Sequence, residues 1–236
     1  MVKRHIFACG GGSFTGDFNP RMRRRMVELC GTNSPRVLLI PTAGCDPADR
    51  VLAFPGQCEE LGFTGEVMSL FDTQSWKSSP AEMIQGADII WVGGGSTFNM
   101  LALWRAWNLV PLLRSAYDDG KVMGGVSAGA ICWFEQGNTD SLGPGLSVME
   151  CLGWIPGSCT PHWSGEALRK PTLARQLAES SIKPGVAIDD FCTVHFVNEV
   201  ISEVIADLPN CGAYKVTAHN NARIGTDTRH EGLYGN

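Results

Sequence analysis

The chain has 236 residues, of which 44% are hydrophobic, and its 24 acidic and 19 basic side chains leave a formal net charge of -5. This apolar content can bury a sizeable core, and we expect residues 1–236 to form a single α/β domain. The acidic balance argues against a general nucleic-acid or anionic-membrane binder, because both depend on clustered basic charge.

Short apolar runs alternate with helical stretches over the first half of the chain. The runs that predict buried strands are His5–Cys9, Val37–Ile40, Val67–Leu70, Ile89–Val92 and Lys121–Val126. The stretches that predict helices are about Pro20–Cys30, Ala48–Leu61, Thr97–Trp107 and Val110–Asp119. Pro55 must kink or divide the second of these helices. Continuous apolar strands separated by helices predict a mostly parallel sheet with helices on both faces.

Beyond about residue 184 the strand-like runs become closely spaced. They are Gly185–Ile188, Thr193–Val197, Val200–Ala206 and Ala213–Ala218. This spacing predicts a C-terminal antiparallel extension of the same domain. The last stretch, about 220–236, is polar and rich in Gly and Asn, and we expect it to be loosely ordered.

Nine cysteines are spread along the chain without C-x-x-C spacing. The residues before Gly10–Gly12 are too few for a signal peptide, and no apolar stretch is as long as a membrane span. The cysteines are therefore expected to be reduced, mostly buried thiols in a cytoplasmic protein. No metal-ligand spacing or nucleotide-binding motif occurs, so we expect neither a metal nor a cofactor.

The most informative motif is G-x-S-x-G, formed by Gly125, Ser127 and Gly129 where the strand at 121–126 runs into a helix. Such a turn is too tight for side chains two residues before and after the serine, and it lifts the serine Oγ above the strand end. An oxyanion formed there would meet the free N–H groups of the helix's first turn. The motif predicts a nucleophile at Ser127, although the same spacing also arises by chance in loops.

A second motif, Gly93–Gly95, follows the predicted strand at 89–92. Glycines let the backbone approach a ligand and leave their N–H groups unblocked. Neither a phosphate loop nor a dinucleotide fingerprint fits the residues that follow. An oxyanion-hole loop fits better, with the Gly95 N–H joining the Ala128 N–H, and a plain strand-to-helix turn is the alternative.

A serine nucleophile needs a base, and the chain has five histidines. His162 lies in an irregular stretch, Ser158–Gly165, of the kind that often carries catalytic groups, so we predict that it is the base. The other four have no comparable setting: His5 and His195 lie in predicted strands, where a structural role is expected of His195, and His219 and His230 lie in or near the polar tail.

The acid that orients the base is expected at another strand end. Asp189 and Asp190 directly follow the predicted strand Gly185–Ile188 and are the best-placed pair. Asp140 and Glu135 are the competitors, so the residues alone leave the choice of acid open.

Four motifs, in this order, resemble the peptidase E (aspartyl dipeptidase) family of serine peptidases, which includes the cyanophycinases. They are Val92–Asn99, Gly125–Ala130, Asn138–Asp140 and Pro161–Trp163. The resemblance implies a flavodoxin-like α/β fold related to the class I glutamine amidotransferases. It also implies a triad in which Ser127 attacks and His162 is the base. The family's acid, usually Glu, falls at Asp190, with Asp189 and Asp140 as alternatives.

Substrate specificity follows less directly from the resemblance. In the dipeptidase a basic residue after the His segment meets an N-terminal aspartate side chain. The segment Gly165–Arg175 does not align cleanly with that pattern. Arg169 or Arg175 is the candidate here, and a charge on a helix surface is the alternative for each. Thr97 is a further candidate substrate contact. The resulting hypothesis is an exopeptidase for small peptides, with N-terminal Asp as a candidate specificity, acting as a monomer or homodimer.

Three alternatives remain. A class I glutamine amidotransferase shares the fold but needs a cysteine where Ser127 stands. A cyanophycinase-like enzyme, or another amide or ester hydrolase, would share the triad and differ in its pocket. A binding protein would keep the fold without activity.

Overall fold

Residues 2–225 are described by a computed structural model, and they build one sheet of seven strands and one of six. The strands are β1 (His5–Cys9), β2 (Arg36–Ile40), β3 (Thr64–Val67), β4 (Ile89–Val92), β5 (Val122–Val126), β6 (Phe134–Thr139), β7 (Ser147–Glu150), β8 (Ile155–Thr160), β9 (Gly185–Ile188), β10 (Cys192–Val197), β11 (Val200–Ala206), β12 (Ala213–Val216) and β13 (Asn221–Arg223). The α-helices are α1 (Pro20–Cys30), α2 (Ala48–Glu60), α3 (Pro80–Gly86), α4 (Thr97–Ala106), α5 (Leu109–Asp118), α6 (Ala128–Ile131) and α7 (Arg169–Ala178).

The larger sheet has the order β11-β10-β1-β5-β4-β2-β3. Strands β1, β5, β4, β2 and β3 pair in parallel, whereas β10 and β11 are antiparallel strands at one edge. The predicted α/β fold class, with a mostly parallel sheet and a C-terminal antiparallel extension, is confirmed. Because parallel strands end at the same edge, the segments that follow β1, β4 and β5 meet there.

Successive residues of the central strands point to opposite faces of this sheet. Phe7 of β1 belongs to the hydrophobic cluster that contains Met22 and Met26 of α1. Its neighbour Ile6 belongs to the other cluster, which contains Trp104 of α4. Helices thus cover both faces, which is why these strands are continuous apolar runs in the sequence.

The smaller sheet has the order β13-β12-β9-β8-β6-β7, and the sequence analysis did not predict β6, β7 or β8. Their residues mix polar, glycine and apolar types without a regular alternation; β6, for example, reads FEQGNT. The antiparallel arrangement predicted for β9 is wrong, because β9 pairs in parallel with β8 and antiparallel only with β12. Strands β8 and β9 therefore end side by side.

The third strand begins and ends earlier in the chain than predicted. It was expected at Val67–Leu70, but the strand is β3 and the next residues leave the sheet. Ser69 Oγ and the Leu70 N–H each donate to Asp46 Oδ2 at 2.7 Å. This carboxylate takes the hydrogen bonds that a strand neighbour would otherwise supply.

Helix α2 is not divided at Pro55, which lies inside it. Phe54 and Cys58 of the same helix are buried in the core. Their burial offsets the backbone hydrogen bond that the proline removes.

Part of the stretch at 220–236 that was expected to be loosely ordered is a strand. Asn221–Arg223 forms β13, which pairs antiparallel with β12. Residues 226–236, which include His230, lie outside the described residues.

The cysteines are free thiols, and six of the nine are buried, as the sequence predicts. Within residues 2–225, no helix has the length and apolar character needed to cross a membrane.

A buried hydrogen-bonded chain joins β1, β10 and β11. His5 Nδ1 lies 3.0 Å from His195 Nε2, and His195 Nδ1 lies 2.7 Å from Glu203 Oε1. Two neutral imidazoles satisfy both contacts when His195 donates from Nδ1 and accepts at Nε2. These contacts agree with the structural role expected of His195.

Burial and the contacts within this hydrogen-bonded network shift the pKa values of its three side chains. Burial lowers the pKa of His5 from 6.5 to about 4, and burial also lowers the pKa of His195. The hydrogen bond from His195, helped by Arg25, lowers the pKa of Glu203 from 4.5 to about 2.

We expect the free energy of unfolding to fall as the pH is lowered from 7 to 4.5. Between pH 6.5 and about 4 the unfolded chain binds a proton at His5 that the folded chain does not, so acid favours unfolding. Below pH 4.5, Glu203 adds to the loss in the same direction. Urea denaturation at pH 7 and at pH 4.5 measures the difference in the free energy of unfolding between the two pH values. This difference should shrink by about 2 kcal/mol in His5→Asn. An unchanged difference in that variant would assign the acid sensitivity to other groups.

Candidate active site

Ser127 lies at the end of β5, where the strand turns into the single helical turn α6. Its backbone angles, φ 55° and ψ -113°, fall in a region that L side chains rarely adopt, so the turn is strained. A Cβ added at Gly125 would overlap the Gly129 carbonyl oxygen, and a Cβ added at Gly129 would overlap the Val92 carbonyl oxygen. The close approach of the backbone segments at this turn therefore leaves no room for a side chain at either glycine of the motif, as predicted for a tight turn.

The glycine loop Gly93–Gly95 follows β4 and packs against Ser127, because β4 and β5 are parallel neighbours. A Cβ added at Gly94 would lie 3.2 Å from Ser127 Cβ. Gly95 has φ 139°, and a Cβ there would overlap a neighbouring backbone carbonyl. Within residues 2–225 neither the Gly95 N–H nor the Ala128 N–H has a protein acceptor, so both can donate to a ligand oxygen.

Thr97 begins α4 directly after this loop. Its backbone N–H donates to Ser141 Oγ at 2.8 Å. Its side chain is fully buried, and its hydroxyl has no partner among the described residues. The candidate substrate contact at Thr97 is thus not accessible, and this residue anchors the start of the helix.

His162 lies just after β8. The stretch predicted to be irregular, Ser158–Gly165, is irregular only after Thr160, because Ser158–Thr160 belong to β8. The Nε2 of His162 lies 2.9 Å from Ser127 Oγ, and its Nδ1 lies 2.6 Å from Asp190 Oδ1. An imidazole that donates from Nδ1 to the carboxylate presents its Nε2 lone pair to the serine hydroxyl. This is the tautomer that a general base needs.

Asp190 follows β9 and is wedged between two glycines to which the sequence analysis gave no role at the site. A Cβ added at Gly11 would overlap Asp190 Oδ1, and a Cβ added at Gly165 would overlap Oδ2. The Phe191 N–H donates to the Gly11 carbonyl at 2.9 Å, which ties this segment to the end of β1. Neither glycine belongs to a recognisable motif, so only the three-dimensional contact identifies them.

Asp189, the neighbour of Asp190, points elsewhere. It is buried, and its Oδ2 accepts from the Gly212 N–H at 2.9 Å. Adjacent residues at a strand end face opposite ways, and here Asp190 is the one that reaches His162.

Neither of the other two candidate acids has a hydrogen bond or ion pair with His162 among the described residues. Asp140 is exposed. Glu135 accepts from the Gly157 N–H at 2.7 Å and pairs with Lys183 Nζ at 2.9 Å. The Gly157 hydrogen bond, with the Lys183 contact, lowers the pKa of Glu135. Both acids therefore serve local contacts or solvent.

The two arginines considered for substrate binding lie on α7. Arg169 is 3% exposed, and it donates to the Asn138 carbonyl oxygen at 2.7 Å and to Glu166 Oε2 at 2.8 Å. The Asn138 side chain donates to Gln176 Oε1 of α7 at 2.6 Å, so this motif residue fastens α7 to β6. Arg175 is exposed on the helix surface.

A cavity of about 570 Å³ opens beside His162, at the carboxyl ends of the parallel strands. Its lining includes Gly94 and His162, which both lie against Ser127, as well as Asp190 and residues of α2. Neither Arg169 nor Arg175 lines it. Its volume is in the range of pockets that hold small ligands.

The site places the Ser127 hydroxyl within hydrogen-bond distance of the His162 ring, the His162 ring against the Asp190 carboxylate, and two backbone N–H groups without a protein acceptor on the segments next to Ser127. Such an arrangement is suited to acyl transfer to a serine hydroxyl. Among residues 2–225, no three His, Cys, Asp or Glu side chains are grouped in a way that would hold a metal ion.

Comparison with known sequences gives two matches over most of the chain. The sequence model of Peptidase family S51 matches residues 6–204. A protein of Bacillus subtilis (strain 168), named uncharacterized peptidase YgaJ, is 35% identical over 214 residues, which cover 90% of this chain and 92% of that protein.

Two solved structures share the fold. A peptidase from an acI-B1 Actinobacterium superposes with a TM-score of 0.70 at 16% identity, over 95% of each chain. A putative peptidase E protein from Listeria monocytogenes EGD-e superposes with a TM-score of 0.62 at 18% identity, over 92% of this chain and 100% of that one. At these identities the likeness concerns the fold alone.

Proposed function

The chain belongs to peptidase family S51, and from this premise we propose that it is a serine exopeptidase of the dipeptidase type, which hydrolyses short peptides through an acyl-enzyme on Ser127. The observation that carries the proposal is the hydrogen-bonded chain from Ser127 Oγ to His162 at 2.9 Å and from His162 to Asp190 at 2.6 Å. A complete chain of nucleophile, base and acid also argues against a binding protein without activity.

In the proposed mechanism, His162 Nε2 takes the Ser127 proton as Oγ attacks the scissile carbonyl carbon. The imidazolium is stabilised by Asp190 and then gives the proton to the leaving amine, which departs. Water, activated by the same imidazole, hydrolyses the acyl-enzyme and restores the Ser127 hydroxyl.

The tetrahedral intermediates carry a negative oxygen, for which we propose the Gly95 and Ala128 N–H groups as donors. The absence of a protein acceptor for either group within residues 2–225 supports this role. Removing one such donor typically costs about 3 to 4 kcal/mol in transition-state stabilisation.

The proposed substrates are small peptides. A preference for N-terminal Asp depends on a cation at the pocket. The contacts of Arg169 with Asn138 and Glu166 do not support such a role for Arg169, and the arginine that lines the cavity among the described residues is Arg50. The proposal further includes a cytoplasmic location, which the nine free thiols support, and action as a monomer or homodimer.

Incubation of the purified protein with Asp-X, Glu-X and neutral dipeptides, followed by chromatography of the free amino acids, tests the proposal. The parent protein should release both amino acids from at least one class, and Ser127→Ala from none. A folded parent protein that cleaves no dipeptide, or that cleaves only internal bonds of long peptides, would contradict it.

Gly165→Ala is expected to lower kcat by about tenfold to a hundredfold, because an added methyl displaces the Asp190 carboxylate from His162. Gly165 does not have a positive φ, so the effect comes from this overlap and not from backbone strain. Gly56→Ala is the matched control, since a Cβ there meets nothing within 4 Å. Equal kcat values for the two variants would refute the positioning of Asp190 by Gly165.

A further inference from the structure

The cavity beside His162 has walls that the proposed chemistry does not use. The residues that line its apolar part, here called its floor, include Phe14, Phe54 and Trp91, each at most 4% exposed. Phe14 and Trp91 lie with ring centroids 5.6 Å apart. The floor of the cavity is therefore apolar and fixed by the core of the larger sheet.

A second pair of aromatic rings stands at the entrance, next to the proposed catalytic acid. Phe191 directly follows Asp190, and its ring stacks with that of Phe18 at a centroid distance of 6.1 Å and an angle of 20°. Phe18 is 57% exposed, so much of its ring is free to contact a ligand. Thr15 Oγ1 donates to Gln57 Oε1 at 2.7 Å, which ties the loop that carries Phe18 to α2.

Charged groups contribute little to this cavity. Besides the Asp190 carboxylate, the charged side chains that line it within the described residues are Asp49 and Arg50. They are adjacent on α2, exposed and of opposite sign. A carboxylate entering the apolar part would lose its water without gaining a dedicated partner, whereas an apolar group would gain from leaving water.

We infer that this cavity binds a large apolar or aromatic side chain of the peptide, beside the scissile bond, and that the enzyme prefers such peptides to those with an N-terminal Asp. This inference rests on the proposed peptidase function, because it assigns the cavity to the substrate of Ser127. The volume of about 570 Å³ accommodates an aromatic residue together with the adjoining peptide backbone.

The test measures kcat/KM of the purified full-length chain for Phe-Ala, Ala-Phe, Ala-Ala and Asp-Ala, together with labelling of Ser127 by a fluorophosphonate. One of the two Phe peptides should exceed both Ala-Ala and Asp-Ala by about tenfold to a hundredfold, as expected for burial of an aromatic side chain. In Phe18→Ala this preference should fall about fivefold, chiefly through KM, because one aromatic contact is lost. Phe71→Ala is the matched control, since Phe71 is 55% exposed and does not line the cavity.

The outcomes separate the inference from the proposed function. Ser127 labelling with a preference for Asp-Ala, above all one that Arg50→Gln abolishes, overturns the inference and leaves the peptidase in place. A Phe preference that Phe18→Ala and Phe71→Ala change equally also overturns it. Absence of both labelling and cleavage in the folded protein refutes the proposed function and the inference together.

Discussion

Ser127→Ala should lower kcat for peptide cleavage by about 10⁴- to 10⁶-fold, since it removes the atom that forms the acyl-enzyme. The small activity that remains should come from binding and from the two N–H donors alone. Steady-state kinetics, with a thermal unfolding midpoint to show that the variant is folded, measures the loss.

Ser164→Ala is the control for this variant. Ser164 is exposed, lies two residues after His162 and accepts a hydrogen bond from Lys170 Nζ at 3.3 Å. It has no contact with Ser127 or the His162 ring among the described residues, so kcat should stay within about threefold of the parent. A Ser127→Ala variant that keeps more than a tenth of the parent kcat would contradict the nucleophilic role.

Asp190→Asn is expected to lower kcat by about 10³- to 10⁴-fold with little change in stability. The asparagine amide can donate to His162 Nδ1, which stabilises the tautomer with its proton on Nε2. That tautomer has no lone pair to accept the Ser127 proton. Steady-state kinetics of the purified variant checks the loss.

The neighbouring residue supplies the matched control. In Asp189→Asn the side-chain oxygen can still accept from the Gly212 N–H, so kcat should change by less than about tenfold. Similar losses in both variants, or a larger loss in Asp189→Asn, would show that Asp190 is not the orienting acid.

The central strands of the larger sheet could be predicted because they are buried on both faces, whereas β3, at the edge of the sheet and only partly buried, was predicted at the wrong residues. β1, β2, β4 and β5 are continuous apolar runs that end at glycine, proline or the G-x-S-x-G motif. β6, β7 and β8 could not be predicted, because their residues do not form continuous apolar runs. Their pairing also depends on distant parts of the chain.

The serine, the base and the glycine loop stood out in the sequence for a similar reason. Tight turns and close backbone approach need glycine at fixed spacing, and this need leaves a local pattern around Ser127 and at Gly93–Gly95. The choice between Asp189 and Asp190 had no local signal, because it depends on how the strand end meets Gly11 and Gly165. Aspartate is one methylene shorter than the family's usual glutamate, yet Asp190 Oδ1 lies 2.6 Å from the imidazole.

The residues that line the cavity, and the contacts of the candidate substrate-binding arginines, could not be predicted from the sequence. Arg169 was a candidate because it is a basic residue after the His162 segment, but it donates to the Asn138 carbonyl, 31 residues earlier in the chain. Phe18 and Phe191 are isolated aromatic residues with no motif around them, so only their stacking in three dimensions draws attention to the cavity entrance.

The central claim, that Ser127 is a nucleophile activated by His162, is tested most directly by a fluorophosphonate probe and peptide mass spectrometry of the purified protein. We predict one adduct, on Ser127, which is absent from Ser127→Ala and forms much more slowly in His162→Gln and Asp190→Asn. A folded parent protein that gains no adduct, or that gains an adduct elsewhere which persists in Ser127→Ala, would contradict the account.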